Sequence, residues 1–215
     1  FSGNFTGTAV RTFLEQRGFP GVAGARFFTN AIDTRTLGVD VVANYGFALG
    51  DVSTLRLTGG YNYNVSRVLR VSPTPPELSA FQETLFDRIE RARIEVGQPR
   101  SSLTLTGVFN YNDLGLTLRT QRFGEVTSFG TPADGSLDQT FSAHWISDLS
   151  ASYNFNGRFT VTAGVDNIFD VYPDENNQGD ATTAGNNNFG IFPYNGISPF
   201  GFNGAFYYGR LSFTF

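Results

Sequence analysis

The sequence contains no cysteine, no methionine and no lysine, and only one histidine and one tryptophan. Without cysteine there can be no disulfides, thiolate metal sites or thiol nucleophiles, and the chain is merely compatible with an oxidising compartment. Without lysine a P-loop, a Schiff base and a lysine general base are impossible, and all 15 basic residues are arginine. Charge is sparse as well, at 16% of residues with a net value of -4. The arginines are scattered rather than striped along one face, which leaves no electrostatic footprint for nucleic acid. No run approaches the roughly 18 apolar residues of a membrane helix, and mean hydropathy is -0.16. That argues against membrane helices alone, because a spanning strand needs only about 9 to 11 residues of alternating character. Nor does a positively charged start lead into an apolar run of the kind that marks a signal peptide. With no methionine and a first residue, Phe1, inside a patterned segment, the sequence is expected to be a piece of a longer one.

What is abundant is aromatic and small. There are 23 phenylalanines, 9 tyrosines and 25 glycines, a composition that suits an all-β protein with a large apolar surface. About seven segments alternate with period 2, the signature of strands that show a different chemistry to each side. Leu55, Leu57, Tyr61, Tyr63 and Val65 oppose Arg56, Thr58, Asn62 and Asn64, and Leu103, Leu105 and Phe109 oppose Ser102, Thr104, Thr106 and Asn110. Leu149, Ala151, Tyr153 and Phe155 oppose Asp148, Ser150, Ser152 and Asn154, and the last segment, Ala205 to Phe215, splits in the same way.

A soluble sandwich also alternates, so the connections must decide. They run short, then long: the tight ones fall near 48–53, 112–115 and 156–157, and the long loops near 67–100, 125–144 and 170–203. Short turns on one side and long loops on the other are the pattern of an outer-membrane barrel. Aromatic pairs at strand ends, such as Tyr45 with Phe47 and Tyr153 with Phe155, read as interfacial girdles. In the first long loop, Thr74 to Glu77 is a capping box with Pro75 at the first helical position, and Leu78, Phe81, Leu85, Ile89 and Ala92 follow at helical spacing. The spacing predicts a short amphipathic helix over about 75–94, with Asp87 and Arg91 paired at i, i+4.

Three stretches resemble the C-terminal barrel of TonB-dependent outer-membrane receptors, and in the order that family shows. Asn30 to Asp40, with Asn30, Arg35, Gly38 and Asp40 as its fixed points, resembles the family's "N-x-x-x-x-R-x-x-G-h-[DE]" strand. Gly164 to Tyr172, containing Asn167, Phe169 and Tyr172, resembles its "N-L-F-D-x-x-Y" segment, and Phe206 to Phe215 resembles its final strand. The resemblance spans nearly the whole chain and implies an all-β, antiparallel transmembrane β-barrel fragment: about seven complete strands of a 22-stranded barrel with long extracellular loops. It further implies an outer-membrane lipid surround, location in the cell outer membrane of a Gram-negative bacterium, a missing N-terminal plug through which the TonB system would act, and an imported small-molecule ligand. The terminal aromatic, Phe215, is similar to the signal read by the barrel-insertion machinery. An isolated fragment of this kind is expected to be an open sheet with exposed edges.

The residues have readings of their own. Asn167 ends a strand where an amide can satisfy backbone groups leaving the ladder. Gly38 presents no side chain just before the wet-face carboxylate of Asp40. Arg56, Arg119 and Arg210 fall on wet faces where they could touch an anionic ligand such as an iron chelate, with Arg119 and Gln121 the best pair; the plainer alternative is a lumen charge matched by plug or wall. His144 lies four residues before Asp148, and no Gly-x-Ser-x-Gly elbow exists to complete a hydrolytic triad, so no enzyme is expected. Asp174 to Asp180 alternates oxygen ligands before a glycine, but Gly185 occupies the twelfth loop position where calcium needs a bidentate glutamate. No cofactor is therefore expected. An active uptake receptor for a scarce ligand, such as a siderophore-iron complex, cobalamin or a carbohydrate, is expected, with a passive outer-membrane porin or a soluble β-sandwich binding module as the alternatives.

Overall fold

The computed structural model describes residues 2–6, 8–22, 24–28, 32–73, 86–130, 134–177 and 192–214. Its centre is one antiparallel sheet of seven strands: β3 (Ile32–Ala48), β4 (Ser53–Val71), β5 (Ser101–Tyr111), β6 (Leu114–Phe123), β9 (His144–Phe155), β10 (Phe159–Asp166) and β11 (Phe206–Phe213). They lie side by side in the order β11-β10-β9-β6-β5-β4-β3, an open meander whose edges are β3 and β11. Two small hairpins stand apart from it. One pairs β1 (Ser2–Thr6) with β2 (Gly24–Phe28) and encloses helix α1 (Thr8–Gln16). The other pairs β7 (Val126–Ser128) with β8 (Gln139–Phe141) inside the second long connection.

The tight turns are built by residues that tolerate left-handed backbone. Asn156 and Gly157 take φ values of 55° and 70° between β9 and β10, the conformation of a type I′ turn, whose twist matches the strands it joins. Asn112, at φ 48°, opens the two-residue link from β5 to β6, and the Leu49 amide bonds the Ser53 carbonyl across the β3–β4 link at 2.9 Å. All three turns lie at one end of the sheet, and the long connections leave from the other.

Register then assembles one face from every strand. Leu57, Gly107, Leu118 and Leu149 form one continuous row across β4, β5, β6 and β9, and Val161 meets both Tyr153 and Leu211. In β6 the apolar set is even-numbered, Leu114, Leu116 and Leu118, although odd-numbered in the other strands. The Asn112–Asp113 link pairs Tyr111 with Leu114 and so shifts the count by one, and the β6–β9 pairing restores it. This apolar face is uncovered: Leu105 is 43% exposed, Leu118 50% and Leu211 71%.

At the turn end the same face carries Tyr45, Phe47, Tyr153, Phe155 and Phe159, with ring centroids 4.5 Å apart in the first pair, 4.7 Å in the next and 5.9 Å between Phe155 and Phe159. Near the loop end it carries Tyr61, Tyr63 and Trp145, all more than 40% exposed. Trp145 to Tyr153 is eight residue steps, roughly 27 Å along the strand and about 20 Å across a membrane at the usual barrel tilt. The two aromatic rows therefore bracket most of the apolar band of such barrels, about 25 Å tall.

A core in the ordinary sense is almost missing. Among the described residues the buried hydrophobics are Val68, Ala92, Val126, Phe141 and Val165. The first four belong to the upper end of β4, a loop helix and the β7–β8 hairpin, so the small core sits under the loops, and Val165 in β10 is the sheet's other buried hydrophobic among the described residues. Burying the band is left to lipid. Leu105→Arg should then cost about 2–4 kcal/mol at mid-membrane depth and deplete the folded, heat-modifiable band in outer-membrane fractions. Its inward neighbour Thr106→Arg should leave that band intact, and equal loss in both variants would contradict the lipid face.

Candidate functional site: the polar wall and its loop cap

The opposite face of the sheet is wet and tied to itself. Asn62 donates to Asp40 at 2.6 Å and receives from Asn64 at 2.9 Å, Thr58 donates to Asn44 at 2.8 Å, and the Thr36 and Ser66 hydroxyls meet at 2.7 Å. Side-chain pairs like these stabilise a sheet and would be wasted against acyl chains. Gly38 belongs to this network by being absent: a Cβ there would lie 2.8 Å from the Tyr63 carbonyl and 2.9 Å from the Asn64 Cβ.

The four candidate ligand contacts lie on this wall but do not converge. Arg119 donates to Gln121 at 2.9 Å and stands opposite Asp148 in the neighbouring strand. Asp148 is engaged elsewhere, accepting the Asn167 amide at 2.9 Å. Arg56 faces Gly46 and Val108 one row nearer the turns, and Arg210 faces Thr162 a further row down and three strands from β6. Of the motif residues, Asp40 and Gly38 are in the wall, and Asn30 and Phe215 lie outside the described residues. Asn167, at φ 53°, closes the end of β10 by giving its amide to the Val171 carbonyl at 2.8 Å and accepting the Val171 amide at 3.0 Å. Phe169 is exposed in the turn that follows, and Tyr172 stacks on Tyr194 at 6.0 Å. The nearby Asp170 charge raises the Tyr172 phenol above its ordinary range.

Above the wall the three long connections lock together. Helix α2 (Arg88–Glu95) begins one residue after Asp87, whose carboxylate accepts the Glu90 amide at 2.9 Å. This corrects two expectations. The expected helix cannot run through Asp87, which is its extended N-cap and so not helical, and the Asp87–Arg91 pair is replaced by Arg91 with Glu95 at 3.3 Å. The capping box and the residues to 85 lie outside the described residues. The strands also reach further than expected, β4 to Val71 rather than Arg67.

Arg88 makes a two-pronged bond to Asp138 at 2.9 and 2.7 Å, donates to the Gly130 carbonyl at 2.8 Å, and lies 4.5 Å over the Phe129 ring. That ties the first long loop to the second. Asp138 also accepts the Gly130 amide at 3.0 Å, and the Arg88 guanidinium, followed by that amide, holds its carboxyl below the usual carboxylate range. The second loop is tied to the third by Gln139, which donates to the Glu175 carbonyl at 2.7 Å and accepts the Asn177 amide at 2.9 Å. His144 Nε2 meets Asp174 at 3.1 Å, and its ring packs on Phe200 with centroids 5.4 Å apart. His144 thus joins the cap, while its neighbour Trp145 takes the interfacial position. Burial pushes Asp174 up, but the Ser142 amide and His144 outweigh it, and its carboxyl ends below the usual range. Both Asp174 oxygens are thereby engaged within the loops.

A two-faced antiparallel meander with tight turns at one end and interlocked long loops at the other narrows the field to outer-membrane barrels. Residues 3–168 match the family model described as TonB dependent receptor-like, beta-barrel. The chain belongs to that family.

Two solved structures align with most of this chain. One, in the structure of the FpvAI–pyocin S2 complex, aligns over 84% of this chain with a TM-score of 0.51 and 14% identity. Another, a G324V mutant of the ferric enterobactin receptor PfeA from Pseudomonas aeruginosa, aligns over 81% with a TM-score of 0.49 and 19% identity. This chain spans about a fifth of each, 19% and 22%. No curated protein matches it. Within the receptor barrel, then, β3 to β11 form an open stretch of wall, apolar outside and hydrogen-bonded inside.

The loop cap should be acid-labile. A carboxyl whose pKa is lowered by folding stabilises the docked state while ionised and loses that contribution as pH falls through its lowered value. Protection factors at the Gly130 and Ser142 amides, corrected for the intrinsic slowing of exchange in acid, should be high near neutrality and fall as pH drops below the ordinary carboxylate range. Asp138→Asn should quicken Gly130 exchange at neutral pH; protection indifferent to both changes would contradict the clamp.

Proposed function

We propose that this chain forms the C-terminal barrel wall of an outer-membrane receptor for active uptake of a scarce ligand, driven by energy delivered through TonB. The observation that carries this reading is the pairing of a continuous wet wall with a locked set of loops above it, in a chain of this receptor family. A diffusion pore requires an open path, whereas loops tied by Arg88–Asp138, Gln139–Glu175 and His144–Asp174 suit capture followed by gated release. Transport, rather than catalysis, is the activity such a wall supports.

The ligand class remains siderophore-bound iron, cobalamin or carbohydrate. Arg119 with Gln121 is the contact best suited to an anionic chelate, since one guanidinium edge is held by the amide oxygen and the remaining donors face the lumen; Arg56 and Arg210 serve better as partners for a plug domain. The receptor would sit in the outer membrane of a Gram-negative cell, surrounded by lipid. The edge strand β11, with Tyr207, Leu211 and Phe213 outward, is the segment offered to the barrel-insertion machinery.

Deleting the gene should abolish cellular uptake of one labelled class among ferric siderophores, cobalamin and maltooligosaccharides, by about an order of magnitude or more. A protonophore should abolish that same uptake in wild-type cells. Uptake that persists after the protonophore would replace the receptor with a passive porin, and a monodisperse product purified without detergent would replace it with a soluble module.

A further inference from the structure

The outer face is not uniformly apolar. Arg35 on β3 and Arg67 on β4 are direct cross-strand partners on that face, two positions above Leu37 and Val65, which also pair with each other. Like charges placed directly opposite each other destabilise a sheet. Among the described residues neither arginine has an acidic partner. The one carboxylate in the adjoining row, Asp33, is occupied by Arg70 at 2.8 Å. Both guanidiniums are exposed, and they stand at the rim of an outward cavity of about 460 Å³ whose other walls include Leu37, Val39, Tyr63 and Val65. The cavity thus sets two cations above an apolar floor of Leu37, Val39 and Val65, with Leu69 beyond them.

Depth supplies the second argument. From Phe47, in the turn-end aromatic row, to Arg35 is twelve residue steps, roughly 40 Å along the strand and about 31 Å across the membrane at the usual tilt. The hydrocarbon band of such barrels is about 25 Å tall, so the pair stands a few ångströms beyond it, in the headgroup layer on the long-loop side. The neighbouring outward cavity, on the other side of Tyr63, is lined by Arg100 and Arg122 together with a carboxylate, Glu125, which offsets one of the two charges. No carboxylate lines the Arg35–Arg67 cavity.

We infer that Arg35 and Arg67 form a binding site for the phosphate of a membrane lipid, whose acyl chains lie along Leu37, Val39 and Val65. A phosphate between two guanidiniums accepts paired charge-assisted hydrogen bonds from each and turns a repulsive pair into a bridged one. The apolar floor selects an amphiphile over a free anion. This inference rests on the membrane reading of the apolar face, yet can fail without it.

The test uses the full-length receptor in detergent, with native mass spectrometry to count retained lipid. The probes are phosphatidic acid, the simplest phosphomonoester lipid, and a diacylglycerol with the same chains. Wild-type receptor should retain phosphatidic acid well above diacylglycerol, and inorganic phosphate in large molar excess should not displace it. The double variant Arg35→Gln/Arg67→Gln should lose about tenfold in phosphatidic acid retention while still reaching the membrane, and Arg35→Lys/Arg67→Lys should recover part of it. Should the glutamine pair fail to assemble, the lysine pair and the wild-type competition with inorganic phosphate decide. Equal retention by wild type and glutamine variant, equal retention of the two lipids, or displacement by inorganic phosphate would each overturn the site, and a variant that still assembles would leave the membrane reading standing.

Discussion

Everything in this chain follows from a sheet that must satisfy two solvents at once. Because successive side chains point to opposite faces, each strand can offer acyl chains one set of residues and water the other only if its register is held without a slip. A slip of one residue would exchange the two sets along the whole strand. The observed register meets that demand even where the count changes, with Leu114, Leu116 and Leu118 brought into line with odd-numbered neighbours through a two-residue turn. The wet face secures the same register from its own side, through pairs such as Asp40–Asn62 and Asn44–Thr58.

The same constraint accounts for the lack of a sheet core. A soluble sandwich would bury Leu57, Leu105 and Leu149 against a second layer, and here they remain uncovered. The few buried apolar side chains instead gather where the chain leaves the membrane, around Val68, Ala92, Val126 and Phe141. There the loops are surrounded by water and need an interior of their own. Function divides along this line, with the strands supplying a fixed wall and the loops a clasp made of a few charged and amide side chains.

Much of this was legible in the sequence, and the boundary is physical. Period-2 alternation, Asn156-Gly157 and the short-long spacing of connections are local signals, and they led directly to the strands, the turns and the side facing lipid. The site was less legible. Arg119 and Gln121 share a strand face, so their contact could be anticipated from spacing, but Arg88 with Asp138 and His144 with Asp174 join segments 50 and 30 residues apart. Asp87 was assigned to a helix face when it caps the helix start. The opposition of Arg35 and Arg67 was hidden for a related reason: it depends on the β3–β4 register, which runs unshifted from Ala48–Thr54 to Thr34–Val68.

Because the sequence has no cysteine, the two-solvent account can be tested position by position. Single cysteines at 116, 117, 118 and 119 in the full receptor, spin-labelled in a bilayer, would report collisions with oxygen, which concentrates in lipid, and with a water-soluble nickel chelate. The account predicts strict alternation, with oxygen favoured at 116 and 118 and the chelate at 117 and 119. Profiles that rise and fall together, or with the two phases reversed, would contradict it.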